Sequence, residues 1–215
     1  MRLLLACLLL GAASPALADA ADSFRQGQWP AVITQGRAEA TAAGLVLAGR
    51  AQLAIAAYQV RDKAKALELV GAAEKDFDAA LAKAPNSVDA QMQKAVAIGY
   101  RAKLTKSPGV AKDARRRFEA VRAAHPDLAL AWSAIAGWHG GAIATLGGFM
   151  AGIAVGAKSS EVDAGYLRAI KLDPGNPVYR TLYALTLLDL DKNNAAKAAQ
   201  ALQGIGQMAT HDGFE

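Results

Sequence analysis

The amino-acid sequence predicts an all-α protein, a stack of about four antiparallel helical hairpins, and two observations carry that expectation. A helix-ending phrase recurs in register as Ala73, Phe77, Ala80 and Pro85, as Ala114, Phe118, Val121 and Pro126, and as Val162, Tyr166, Ala169 and Pro174. Offsets of four and three place the first three residues of each phrase on one helix face, and the proline, which has no N–H to donate, marks where that helix stops. Between these phrases, Ala- and Leu-rich segments of helical period are punctuated by turn residues: Pro85-Asn86-Ser87, Ser107-Pro108-Gly109 and His125-Pro126-Asp127.

Residues 1–18 read as a secretory signal. Arg2 precedes an apolar run over residues 3–13, Pro15 interrupts it, and Ala16-Leu17-Ala18 supplies the small residues of a cleavage site. The run is too short for a spanning helix, so the expectation is export to the periplasm with cleavage after Ala18. Leu4-Leu5-Ala6-Cys7 resembles a lipidation box, but its cysteine falls inside the apolar run with too little hydrophobic sequence before it. Cys7 is the single cysteine of the chain. A chain cleaved after Ala18 holds neither a disulfide nor a thiolate site, and its stability rests on packing.

Residues 19–38 form an N-terminal capping segment, in which residues 22–37 around Trp29-Pro30 supply a single helix at the open end of the stack. The repeat domain spans residues 39–206. Its first hairpin joins a helix over residues 39–60 to one over residues 63–84, with Arg61-Asp62 between them. Asn86 or Ser87 caps the next helix, expected over residues 88–104. Ser107-Pro108-Gly109 breaks the chain before a helix over residues 110–124. A third unit opens after Pro126, with Trp132, Ile135, Ala136 and His139 at the spacing of a large-and-small packing seam. Residues 207–215 are a C-terminal tail.

In these residues the chain resembles the tetratricopeptide repeat family. Trp132, Ile135, Ala136 and His139 approximate the family's first-helix set, and Ala114, Phe118, Val121 and Pro126 match its second-helix set, as does the run Tyr166-Leu167-Arg168-Ala169-Ile170-Lys171-Leu172-Asp173-Pro174-Gly175-Asn176. The resemblance covers residues 45–204 and implies a curved superhelix. Family repeats are about 34 residues long, whereas Pro85, Pro126 and Pro174 are 41 and 48 residues apart, so helices or turns are lengthened. The third unit is also similar to the divergent repeats of the microtubule-dynamics-regulator family and of an accessory component of TRAP-type periplasmic transporters.

Charge is uneven. The formal excess is +5, one unit less without Arg2, and nine of the basic residues fall between Lys94 and Arg122 against Asp113 and Glu119 alone. Arg115-Arg116-Arg117 could meet anionic headgroups or an acidic partner. Consecutive positions point around the helix, however, and a solvated face is the simpler reading. Nucleic acid is not expected as a partner of an exported chain. Residues 128–157 contain no Lys, Arg, Asp or Glu, and place small residues at Gly140, Ala144, Gly148, Gly152 and Gly156. This stretch is expected to extend the third unit's first helix into the interior of the stack, with a break near Gly147-Gly148. Exposure of Leu146, Phe149, Met150, Ile153 and Val155 would instead make an adhesive patch for peripheral contact with a membrane.

Residues pointing to catalysis are missing. The sequence has no phosphate-cradling loop ending in Gly-Lys-Ser or Gly-Lys-Thr, nucleophile elbow, zinc-protease helix motif or dinucleotide fingerprint. His125, His139 and His211 are widely separated and lack metal-ligand spacing. No catalytic residue, metal or cofactor is therefore assigned. The expected function is a non-catalytic scaffold whose first helices line a concave groove for a protein or peptide partner. The resemblance implies groove positions Asp89, Met92, Gln93, Val96, Gly99 and Tyr100 in one unit, and Leu130, Ser133, Ala134, Gly137 and Gly141 in the next. The alternative is a periplasmic transport accessory that holds a small apolar ligand in a closed cavity around residues 137–156 or contacts the membrane. Partner identity and oligomeric state are not encoded in any motif.

Overall fold

The computed structural model describes residues 19–213; the expected leader, with Cys7, lies outside the described residues. Helices run in the order α1 (Ala20–Arg25), α2 (Trp29–Glu39), α3 (Ala42–Ala54), α4 (Lys63–Lys83), α5 (Val88–Thr105), α6 (Pro108–Ala124), α7 (Ala129–Leu146), α8 (Gly148–Val155), α9 (Ser160–Leu172), α10 (Pro177–Leu190) and α11 (Ala195–Ala201). The helices pack as antiparallel pairs, α3 with α4, α5 with α6, α7 with α9 and α10 with α11, and each pair packs on the next in a stack of four hairpins.

Local chemistry sets the boundaries. The side chains of Thr41, Asp62 and Ser87 accept the backbone N–H groups of Gly44, Lys65 and Ala90, capping α3, α4 and α5. Pro108 and Pro177 begin α6 and α10, where a missing N–H removes no helical bond. The helix expected from residue 39 starts at Ala42, because Ala40 is left-handed at φ 53° and closes α2 instead. The capping segment holds two helices rather than one, and α2 packs along α3 as closely as the partners within a repeat do.

The recurring phrase is the core. Ala73, Phe77 and Ala80 on α4, Ala114, Phe118 and Val121 on α6, and Val162, Tyr166 and Ala169 on α9 are all buried. Each aromatic ring enters the facing first helix where that helix has no side chain. A Cβ on Gly49 would lie 2.4 Å from Phe77 Cε1, and one on Gly137 would lie 2.9 Å from the Tyr166 hydroxyl. Close contact between the two helices of a hairpin thus requires glycine at these points.

Lengthened repeats have two origins. In the second hairpin both helices are long, 18 residues in α5 and 17 in α6. In the third, α8 is an extra helix inserted between the two members of the pair. The uncharged stretch over residues 128–157 does not continue as one buried helix. Gly147 adopts φ 75°, ψ 151°, which ends α7, and α8 leaves at 117° to it. The break falls at the expected glycine pair, but the small residues form no buried face: Ala144, Gly148 and Gly152 are exposed.

Candidate functional site

The superhelix turns far enough to bring its last hairpin opposite its first. Across the gap, Val178, Thr181, Leu182 and Leu185 of α10 face Trp29 of α2 and Ala54 and Tyr58 at the end of α3, enclosing a cleft of about 360 Å³. Tyr58 is 69% exposed and Leu185 54%, so large apolar surface is presented inside the curve of the stack. The C-terminal tail forms one wall. Gly213 donates its N–H to the Phe24 carbonyl at 3.3 Å, and Arg50 pairs with Asp212 at 3.7 Å.

Two features of α3 and α10 create this lining. Helix α3 ends in a π-helical turn, Ile55–Gln59, which carries the exposed Tyr58, and the Ala56 carbonyl accepts a hydrogen bond from the Tyr100 hydroxyl at 2.9 Å. Helix α10 is apolar on two faces. Tyr179, Tyr183 and Leu187 are buried against the stack, and Tyr166 and Thr186 hydroxyls bond at 2.9 Å. The stripe at 178, 181, 182 and 185 faces the cleft, with Leu185 exposed and Leu182 half-buried against the core.

None of the eleven positions expected to contact a partner lines this cleft. Met92 is buried among Ile98, Phe118 and Ile135, and Gln93 and Ser133 are buried as well. Helix α5 meets α3, α4, α6 and α7, leaving a narrow strip of its surface open. Asp89 lies on that open surface, and Val96 and Leu130 are half-buried between hairpins. Tyr100 is half-buried and holds α3 rather than facing a groove, and Gly137 receives Tyr166. Met92, Gln93 and Ser133 therefore pack inside the stack, while Asp89 stays open to solvent. The cleft escaped sequence reasoning because its walls are some 120 or more residues apart. Its available signal was the second apolar stripe of α10.

Polar groups elsewhere serve packing. The Asp76 carboxylate, buried, accepts from Arg37 Nε and Nη2 at 3.1 and 2.9 Å and from Gln52 Nε2, tying α2, α3 and α4 together. Within the arginine run, Arg115 pairs with Glu119 at 2.8 Å, and Arg116 and Arg117 both pair with Asp113. His139 is buried edge-on to Trp138, and its Nδ1 accepts the Lys158 N–H at 3.1 Å. Burial, with Arg115 beside it, lowers its pKa to about 4. Among the described residues no three His, Cys, Asp or Glu side chains converge as a metal site.

Searches against family models and against curated proteins find no match to this chain. Among solved structures, the chain is similar to MamA 41-end from Desulfovibrio magneticus RS-1, at 18% sequence identity and a TM-score of 0.42, covering 89% of this chain and 96% of that one.

Proposed function

We propose that the protein is a non-catalytic helical-repeat module that binds an apolar segment of a protein or peptide partner in the cleft between its first and last hairpins. The observation that supports this is the placement of Tyr58 and Leu185, large side chains left open on facing walls inside the stack. A volume of about 360 Å³ suits one or two bulky side chains, and the rigid hairpins around it lower the ordering cost of binding. Reading residues 1–18 as a leader, we further propose that the module works after export to the periplasm; the N-terminal sequence of the protein isolated from its host tests that step.

A small apolar ligand is the second reading, favoured by the same volume, which falls at the lower end of the range for small-molecule sites. Its expected location around residues 137–156 is partly filled, since Gly137 abuts Tyr166 and Gly140 abuts Thr186. A photoreactive phenylalanine analogue placed at Leu185, and at exposed Leu167 on α9 as control, separates these readings in the native host. Protein adducts at 185 and not at 167, lost on Tyr58→Ala, are the expected result. Small-molecule adducts at 185 move the assignment to the second reading. Equal labelling at both positions refutes the cleft.

A further inference from the structure

Helix α8 is turned inside out. Phe149, Met150 and Ile153 of α8 lie within one helical turn of each other, and with Leu146 at the end of α7 they are 80%, 53%, 67% and 43% exposed. The opposite face is small: Ala151 and Val155 pack with Ala157 against Ala111, Trp138 and Ile143. A surface helix of a globular protein directs its large apolar stripe inward. Here the stripe projects from the edge of the stack, with exposed Gly148 and Gly152 beside it and no polar side chain among them.

Cations border that stripe. Lys112, Arg115 and Arg116 share a surface hollow with Gly152, Ile153 and Val155, and exposed Lys158 follows the helix. The nearby carboxylates are engaged: Glu119 with Arg115, Asp113 with Arg116 and Arg117, and Glu161 with Arg122. Lys112 and Lys158 make no ion pair among the described residues. The projection is also fixed in place. Arg115 Nη1 donates to the carbonyls of Val155 at 3.3 Å and Gly156 at 2.7 Å, the last carbonyls of α8, while His139 holds the Lys158 N–H.

We propose that the α7–α8 tip is a wedge that docks the protein on an anionic lipid bilayer. Apolar side chains enter the headgroup boundary, and Lys112, Arg116 and Lys158 remain among the phosphates. Among the described residues no single helix is long and apolar enough to cross a membrane, and the pair α7–α8 is bent by 117°. Ile135, Ala136 and His139 of α7 are buried in the stack, so the wedge is confined to the projecting tip. A border of net positive charge, its carboxylates already paired, around a stripe without hydrogen-bonding side chains suits a lipid surface, where no partner atom has to be matched. The inference does not depend on the cleft.

The test uses protein isolated from its own host and vesicles of 30% phosphatidylglycerol in phosphatidylethanolamine, against phosphatidylcholine alone. Binding to the anionic vesicles is expected to weaken about ten-fold or more in Phe149→Asp/Ile153→Asp, and Lys112→Ala/Lys158→Ala is expected to lose most of its salt dependence. The four side chains are exposed, so both variants should keep the parent's helical circular dichroism and melting. A polarity-sensitive dye on Met150→Cys, in a Cys7→Ser background, is expected to brighten with anionic vesicles, and the same dye on Leu167→Cys to stay unchanged. Undiminished sedimentation of Phe149→Asp/Ile153→Asp, or a silent dye at 150, overturns the proposal. So does a self-association or protein contact that this variant abolishes while vesicle binding is unchanged.

Discussion

Alanine placed at two helical glycines, Gly49 and Gly71, should move stability in opposite directions. A methyl group on Gly49 would lie 2.4, 2.6 and 2.9 Å from three atoms of the Phe77 ring, whereas one on Gly71 meets nothing within 4 Å. Carbon atoms in good contact are about 3.5–4.0 Å apart, so the ring must retreat by about 1 Å. Phe77 is fully buried, with fully buried Val70, Ala73 and Ala80 on the same helix, and has no room to do so. Overpacking of this kind costs about 1–3 kcal/mol, here toward the upper end, and the better helix propensity of alanine returns about 1 kcal/mol. The net expectation is a loss of about 2 kcal/mol for Gly49→Ala and a gain of up to about 1 kcal/mol for Gly71→Ala. Urea unfolding followed by circular dichroism measures both, and the melting temperatures should separate by roughly 6–12 °C for a domain of this size. In a Phe77→Leu background the penalty at Gly49 should shrink by about 1 kcal/mol or more, because the shortened side chain vacates the space the methyl needs. Equal shifts for the two glycines, or no rescue, would refute the ring-into-glycine account of hairpin packing.

Two further perturbations follow from buried polar groups. His139, with its pKa lowered to about 4 chiefly by burial and by Arg115, is opposed by Glu161 and Glu119 and further lowered by Arg122. The unfolded chain therefore takes up a proton below about 6.5 that the folded chain refuses until about 4. Stability present in full above pH 6.5 is lost as the pH falls from 6.5 to 4, by roughly 3 kcal/mol at most. Urea titrations at pH 7 and pH 4.5 should show a smaller drop for His139→Gln than for the parent, and parallel curves would exclude His139 as the origin. Asp76→Ala removes the acceptor shared by Arg37 and Gln52 and should cost about 2–3 kcal/mol in the same assay, with Asp76→Asn costing less; no loss would show that the carboxylate does not tie α2 to α4.

The hairpins were legible because their signal is local. Burial of Phe77, Phe118 and Tyr166 follows from offsets of three and four within one helix, and Pro85, Pro126 and Pro174 state where that helix ends. Groove residues were not legible. Which face of α5 remains open depends on how far each hairpin rotates against the next, and contacts with α3, α4, α6 and α7 close over Met92 and Gln93. The turns of the individual hairpins do not report that rotation. Composition misled in a different way at residues 128–157, since an uncharged segment satisfies a protein interior and a lipid boundary equally well. Gly147-Gly148 marked the break, but not that the chain beyond it would turn through 117° and present its larger side chains outward.

Helix α10 and helix α8 pose the same physical problem with different solutions. Each carries more apolar surface than its neighbours cover. In α10 the surplus stripe, 178 to 185, is sheltered inside the curve of the stack, where Trp29, Tyr58 and the tail at Gly213 face it. A partner segment entering there exchanges a hydrated apolar wall for a dry one on both sides at once. In α8 the surplus points off the edge, where curvature offers no opposing wall, and Arg115 and His139 hold it in that position. A rigidly held projection favours a broad surface over an enclosing pocket, and its basic border favours an anionic one. Because the two surfaces lie on different hairpins, substitution at Phe149 should leave adducts at Leu185 intact, and Tyr58→Ala should leave vesicle binding intact. Loss of both by either change would mean that the stack, rather than one surface, had been disturbed.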